Sequence, residues 1–311
     1  MARQLTFGVV TDQSMSWPDT VERWRLFERL GFDSAWLCDH IIRPSQPTGP
    51  YFESWTLLAA LATRTERIRI GVLVTSNTFR HPVLLAKQAV TLDHVSGGRL
   101  DVGIGAGWYE PEHTMFGIAF PERRELVSRF GEAVRVIDLL LRQDTSRFDG
   151  TYYQLRDALS RPAPLQRPRP PLLLGAFGPR MLRIVARRGD AWNAFGSPSE
   201  MAERNQLLDH YCAELGRDPN TLTRSLYGWA TKVEGDPWAS EQAFVDFIGP
   251  YLEAGVNQFL LDQPGPDKLD TMERIAAGVL PGLRTRGAVA RPAPAGAPSP
   301  AARWRRPADY V

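Results

Sequence analysis

Short runs of three to seven residues, several of them almost wholly apolar, alternate along the chain with longer stretches in which apolar positions recur every three or four residues. The short runs predict strands buried on both faces, and the longer ones predict helices with one apolar stripe. Eight strands are predicted, at Leu5 to Val10, Ser34 to Leu37, Ile68 to Val74, Leu100 to Ile104, Leu172 to Leu174, Asp190 to Asn193, Arg224 to Trp229 and Gln258 to Leu261. The clearest helix runs from Glu125 to Leu141, where Leu126, Val127, Phe130, Val134, Ile137 and Leu141 fall on one face. Ser16-x-x-Asp19 and Ser197-x-x-Glu200 read as capping boxes, and Asp236-Pro237 as a third helix start.

Strand followed by helix, eight times over, is the pattern of a parallel sheet covered by helices. The prediction is α/β, a (β/α)8 TIM barrel, with a doubly wound open sheet as the alternative. Two stretches interrupt the alternation, Arg43 to Glu53 and the Pro- and Arg-rich Arg147 to Pro171, the second with a hairpin turning at Gly150. Insertions after strands cover the carboxyl-end mouth of a barrel, and these are expected there. Residues 1–285 are read as one barrel domain and 286–311, rich in Ala, Pro and Arg, as a flexible tail.

Composition narrows the function. A length of 311 residues, 43% hydrophobic and 23% charged, suits one large globular core, and a formal net charge of +2 gives no electrostatic case for nucleic acid or an anionic membrane. Only Lys87, Lys232 and Lys268 of the 37 basic residues are lysines. Cys38 and Cys212 lack disulfide or zinc spacing, no apolar run reaches membrane-spanning length, and a cytoplasmic location is expected. No metal is expected either, because His40, His81, His94, His113 and His210 show neither His-x-His nor HExxH spacing.

In a barrel the chemistry sits just after each strand. Asp39-His40 follows the second strand, and a histidine held by polar neighbours can move a proton near neutral pH, although such a pair also serves simply to fix a loop. Gly103-x-Gly105-x-Gly107 lacks the helix that a dinucleotide fingerprint opens on its last glycine, since Trp108-Tyr109-Glu110-Pro111 follows. Those glycines either let the loop turn or leave room for a flat ring. Gly178-Pro179-Arg180 after the fifth strand fits a helix N-terminus aimed at a phosphate, or an ordinary helix start with a solvent-facing arginine.

Together these segments resemble the bacterial luciferase-like monooxygenase family, in particular its branch of oxidoreductases that use the deazaflavin coenzyme F420. The likeness is carried by Gly31-Phe32-Asp33-Ser34-Ala35-Trp36 leading to Asp39-His40, Arg67 to Gly71, Thr78-Phe79-Arg80-His81-Pro82, Leu92 to Arg99, Gly103 to Trp108, Gly175 to Arg180 and Asp190 to Asn193. It implies that Asp39, Leu73, Val74, Thr75, Ser76, Gly107 and Trp108 line the ring, with a non-prolyl cis peptide at Leu73-Val74. It further implies that Gly175, Ala176, Phe177, Gly178, Pro179 and Arg180 hold the phosphate-bearing tail, with the amides of Ala176 to Gly178 as donors and Trp192 and Asn193 in support. His40, with Asp39, is the implied catalytic pair.

Where the family's glucose-6-phosphate dehydrogenases carry an acidic residue after the glycine turn, this chain has Trp108, so sugar-phosphate oxidation is not expected. Trp55, Tyr109, His113 and Trp229 suggest an aromatic substrate pocket instead. The expected activity is hydride transfer between F420 and a small, partly apolar molecule bearing a C=C, C=N, C=O or alcohol group. The alternatives are a monooxygenase using reduced FMN and a non-catalytic family member. The resemblance also implies a homodimer and a separate enzyme that reduces the cofactor.

Overall fold

The computed structural model describes residues 4–286. The tail expected at 286–311 therefore lies, beyond Arg286, outside the described residues. All eight predicted strands form, at β1 (Thr6–Val10), β2 (Ser34–Leu37), β3 (Arg69–Val72) with β4 (Thr75–Ser76), β5 (Leu100–Gly105), β8 (Leu172–Gly175), β9 (Ala191–Ala194), β10 (Thr223–Gly228) and β11 (Gln258–Asp262). Between β5 and β8 an added hairpin pairs β6 (Thr145–Asp149) antiparallel with β7 (Gln154–Leu159). The nine-stranded sheet runs β3-β2-β1-β11-β10-β9-β8-β5-β4, and a further β3–β5 pairing returns to its start, which is the connectivity of a (β/α)8 barrel.

One expected strand is divided. Ile68 to Val74 ends as a strand at Val72, the Leu73–Val74 peptide is cis as the resemblance implied, and pairing with β5 resumes at Thr75.

The helices are α1 (Trp17–Arg29), α2 (Ser54–Ala62), α3 (Pro82–Val95), α4 (Glu110–Met115), α5 (Arg123–Arg142), α6 (Pro179–Arg188), α7 (Pro198–Glu214), α8 (Glu241–Glu253), α9 (Leu269–Arg274) and α10 (Leu280–Arg286), with a π-helical stretch at Ile275–Val279 joining the last two. Among the described residues no helix is long and apolar enough to cross a membrane.

Among the described residues the fold divides into two compact units, one of residues 4–12, 25–36 and 176–286, the other of 13–24 and 37–175. In the first, β1 pairs in parallel with β2 and β11, and β10 with β9 and β11. Its core is aromatic: the Phe7 and Phe259 rings stack at 5.7 Å, with Phe244 at 5.9 Å from Phe7. Ser197 makes both arms of the predicted capping box on α7. Asp236, by contrast, does not start a helix. Its carboxylate accepts from Trp238 N and from Lys268 Nζ, and α8 begins only at Glu241, where Ser240 receives the Ala243 N–H at 3.0 Å.

In the second unit, β5 pairs with β3, β4 and β8. Helix α5 buries Leu126, Phe130, Val134, Ile137 and Leu141, the residues of the predicted stripe other than Val127. The hairpin turns where expected. Glu132 of α5 accepts the N–H groups of Thr151, Tyr152 and Tyr153 at 2.8 to 3.2 Å, and a Cβ on Gly150 would stand 2.4 Å from that carboxylate.

Candidate active site

Within residues 37–175, the chain just beyond β2 brings Asp39 and His40 to the carboxyl end of the sheet. Asp39 is buried and fully engaged. Its Oδ1 accepts from Ser54 Oγ (2.6 Å) and Arg80 Nη2 (3.1 Å), and its Oδ2 from Ser76 N (2.8 Å) and Arg80 Nη1 (2.6 Å). A carboxylate offers about four acceptor positions, and here protein donors fill four. Asp39 therefore ties α2, β4 and the segment before α3 together; the expectation that it meets a ring directly becomes, on this geometry, a positioning role.

His40 is held by a residue that the sequence reading did not single out. Its Nδ1 lies 2.9 Å from Glu112 Oε2, and Glu112 Oε1 accepts the N–H groups of Ile41 and Ile42. The Glu112 side chain is 0% exposed and that of His40 15%. The Trp108 and Tyr109 rings meet the imidazole edge-on, at 5.7 and 6.0 Å between centroids.

A second hydrogen-bonded chain runs alongside. The Tyr109 carbonyl can only accept, so His113 Nδ1 donates to it (2.9 Å), and in the neutral ring Nε2 accepts from the Thr78 hydroxyl (2.6 Å). Thr78 Oγ1 then accepts from Ser76 Oγ (2.7 Å). His113, expected in a substrate pocket, is 1% exposed, with its ring centroid 4.8 Å from that of Phe79 and 4.7 Å from that of Phe120. It braces the loop and does not line a cavity. Trp55 is corrected likewise: it is 4% exposed and donates from Nε1 to Thr75 Oγ1 at 3.1 Å.

The glycine run is settled by packing. A Cβ on Gly103 would stand 2.0 Å from Val72 O, one on Gly105 2.6 Å from Val74 Cγ2, and one on Gly175 2.9 Å from the same methyl. These glycines make room for the chain around the cis bond, not for a ring. Gly107 differs, because its φ of +94° is a conformation that side chains resist, and it leads into the turn that sets Trp108 and Tyr109 beside His40. A short helix, α4, does open soon after, at Glu110, and it carries Glu112.

Within residues 176–286, the segment after β8 leads into α6. Gly178 is its N-cap with no side-chain cap, Pro179 occupies the first turn, and a Cβ on Gly178 would meet nothing within 4 Å. Exposed Arg180 follows. The Ala176 amide, expected to serve an anion, is already spent on Asn193 O at 3.1 Å, which leaves Phe177 and Gly178 of the three. Trp192 is wholly buried and gives its indole N–H to Ala176 O (2.8 Å), and Asn193 donates from Nδ2 to Ser225 Oγ (2.9 Å). Both support the segment from behind and are not placed to touch a ligand. Half-buried Trp229 stacks on Tyr227 at 5.8 Å, meets Phe195 edge-on and has Lys232 Nζ 5.3 Å from its ring centroid.

Among the described residues, no group of three or more His, Cys, Asp and Glu is arranged to hold a metal ion. Sequence reasoning missed Glu112, Arg80 and Ser54 as parts of the site. Only Arg80 had a signal, lying inside a segment quoted for the family likeness.

Comparison with known proteins places this geometry. The profile described as luciferase-like monooxygenase matches residues 4–279. The chain is 29% identical over 314 aligned positions to a protein of Intrasporangium calvum named F420-dependent glucose-6-phosphate dehydrogenase, covering 83% of this chain and 92% of that one. A protein of the same name from Amycolatopsis mediterranei is 26% identical, covering 86% and 95%. Among solved structures, an F420-dependent secondary alcohol dehydrogenase bound to an F420-acetone adduct superposes with a TM-score of 0.79 at 21% identity, over 90% of this chain and 99% of that one. The coenzyme F420-dependent tetrahydromethanopterin reductase of Methanopyrus kandleri gives 0.76 at 20% identity, over 90% and 99%. With the profile running from residue 4 to residue 279 on a fold of this connectivity, the chain belongs to the luciferase-like monooxygenase family.

Proposed function

We propose that the protein is a coenzyme F420-dependent oxidoreductase acting on a small, partly apolar organic molecule. The observation that carries the reading is the His40–Glu112 pair: a partly accessible imidazole, held at Nδ1 by a buried carboxylate and flanked by Trp108 and Tyr109. Such a group can exchange a proton with a carbonyl, imine or alcohol next to an aromatic wall. The F420-dependent relatives in sequence support the choice of coenzyme.

The residues present fit that coenzyme. The uncapped, open start of α6 offers backbone N–H groups of Phe177 and Gly178 with Arg180 behind them, a setting suited to a phosphate. The chain from Leu73 to Ser76, with Gly107 and Trp108, would hold the ring. When bound, F420 supplies or accepts a hydride at its deazaflavin ring.

The protein's own contribution is positional and acid–base. Asp39, anchored by Arg80, Ser54 and the Ser76 N–H, fixes the backbone at Ser76. His40 would give a proton to, or take one from, the substrate heteroatom through Nε2. Trp108 and Tyr109 present apolar surface beside it, favouring an alcohol, carbonyl, imine or alkene substrate over a sugar phosphate. A homodimer, and a separate enzyme that reduces the coenzyme, belong to the same reading through the family likeness.

The test is a fluorescence-quenching titration of the purified protein with F420 and, separately, with FMN. Saturable quenching with F420 at micromolar concentration and none with FMN is the expected result. Preference for FMN would favour a monooxygenase, and binding of neither would end the reading.

A further inference from the structure

We infer that Glu112 is a positioning residue that sets the ring tautomer of His40, keeping the proton on Nδ1 and presenting the Nε2 lone pair. The inference deepens the proposed function, because it assigns the atom of His40 that handles the proton. Glu112 Oε1 accepts two backbone N–H groups, those of Ile41 and Ile42, and Oε2 faces His40 Nδ1 at 2.9 Å. A buried carboxylate in that arrangement is an acceptor at every contact, so Nδ1 must donate. In the neutral ring the other nitrogen then has no proton, and its lone pair is the reactive one.

The two amide bonds matter as much as the bond to Nδ1. They belong to the residues directly after His40, so one carboxylate grips both the imidazole and the backbone that carries it. Glu112 lies 72 positions along the chain from His40, on the short helix α4, and is fully buried. Burial takes it away from any substrate and leaves it acting through His40. The Trp108 and Tyr109 rings meet the imidazole in T-shaped contacts, and the acceptor at Nδ1 is the Glu112 carboxylate.

Glu112→Gln discriminates this role from simple packing. The variant amide can still receive the Ile41 and Ile42 N–H groups on its oxygen, but it turns an NH2 toward Nδ1. The ring must then accept at Nδ1 and carry its proton on Nε2. Two measurements read this without any substrate or coenzyme. Long-range 1H–15N correlation of the full chain with labelled histidine, assigned by the signal lost in His40→Ala, reports the tautomer. The rate at which diethyl pyrocarbonate acylates His40, followed by mass spectrometry, reports the accessible lone pair.

The wild-type ring should be protonated at Nδ1, and Glu112→Gln should move the proton to Nε2 and slow acylation at least tenfold. Glu112→Asp, which remains an acceptor, should keep the Nδ1–H form and recover most of the rate. A neutral wild-type ring carrying its proton on Nε2 would overturn the inference by itself, whether or not the variants fold. So would a glutamine variant with unchanged tautomer and acylation rate. Failure of F420 to bind in the titration above would sink the coenzyme assignment and leave the tautomer result standing.

Discussion

Arg80 closes on Asp39 with both terminal nitrogens, Nη1 to Oδ2 at 2.6 Å and Nη2 to Oδ1 at 3.1 Å, in a pair almost shut off from solvent. Two parallel bonds of this kind match the planar guanidinium to the carboxylate in a way that a lysine cannot. Removing one partner of a buried pair strands the other charge, at a cost of about 3–5 kcal/mol. Arg80→Ala should therefore lower stability by about that amount, and Arg80→Lys should recover only part of it. Urea unfolding measures both, and an unchanged midpoint in Arg80→Ala would show that Asp39 is held by Ser54 and the Ser76 amide alone.

The glycines around Val74 make a second, sharper case. Gly105→Ala puts a Cβ 2.6 Å from a Val74 methyl, an overpacking expected to cost about 1–3 kcal/mol. Trimming that methyl in the Gly105→Ala, Val74→Ala double variant should restore much of the loss. Gly103→Ala meets the Val72 backbone oxygen at 2.0 Å, so no side-chain trimming relieves it, and it should stay the more damaging change. Thermal unfolding of these proteins and of the Gly103→Ala, Val74→Ala double variant checks the ordering, and recovery in that last variant would contradict it.

What the sequence made legible follows from this contrast. Period and length located all eight strands to within a residue or two, because runs buried on both faces must be apolar throughout. The break within Ile68 to Val74 was not visible as a periodicity, since Leu73 and Val74 are as apolar as their neighbours. Only the family likeness pointed to it. Asp236 was misread because Asp-Pro signals a turn as well as a helix start, and the choice fell to Ser240, whose hydroxyl reaches the third amide of α8. His40 could be picked out from its place after a strand. Its partner Glu112 could not, because a contact across 72 positions leaves no local spacing to read. Trp192 and Asn193 were found as part of a motif but misjudged in role, for only coordinates show which of their polar groups are already spent on Ala176 O and Ser225.

Tyr251 links the fold to alkaline pH. Its hydroxyl donates to Gly196 O at 2.9 Å, and burial, with the nearby charges of Glu200 and Glu234, pushes its pKa up to about 12 from an ordinary value of 10.0. A group whose folded-state pKa is raised adds stability that is complete below the unfolded value and is lost as pH climbs through the folded one. The fold should accordingly weaken between pH 10 and about 12. Tyr251→Phe should be less stable than wild type at neutral pH, having lost the hydrogen bond, and should show a shallower decline across that alkaline window. Denaturant midpoints measured from pH 8 to 12 test this, and parallel curves for the two proteins would remove Tyr251 as the cause.

Arg180 provides the test of the proposed tail site at the start of α6. The cap there is a glycine with open space around it, which supplies no side-chain acceptor, and the first helical residue is a proline that has no N–H to waste. A phosphate would accept from the backbone amides there and from the guanidinium two residues on, and a hydrogen bond to a charged group is worth about 1.5–3 kcal/mol. Arg180→Ala should thus weaken F420 binding by roughly tenfold or more, and the loss should shrink as salt rises, because the site is exposed. The deazaflavin riboside that lacks the phosphate tail provides the control. Its affinity should be the same for wild type and variant, since the ring is held by other residues. Equal weakening for the riboside and for F420 would show that Arg180 acts on the fold of the loop and not on the phosphate. No weakening for either would take the anion away from the start of α6 altogether.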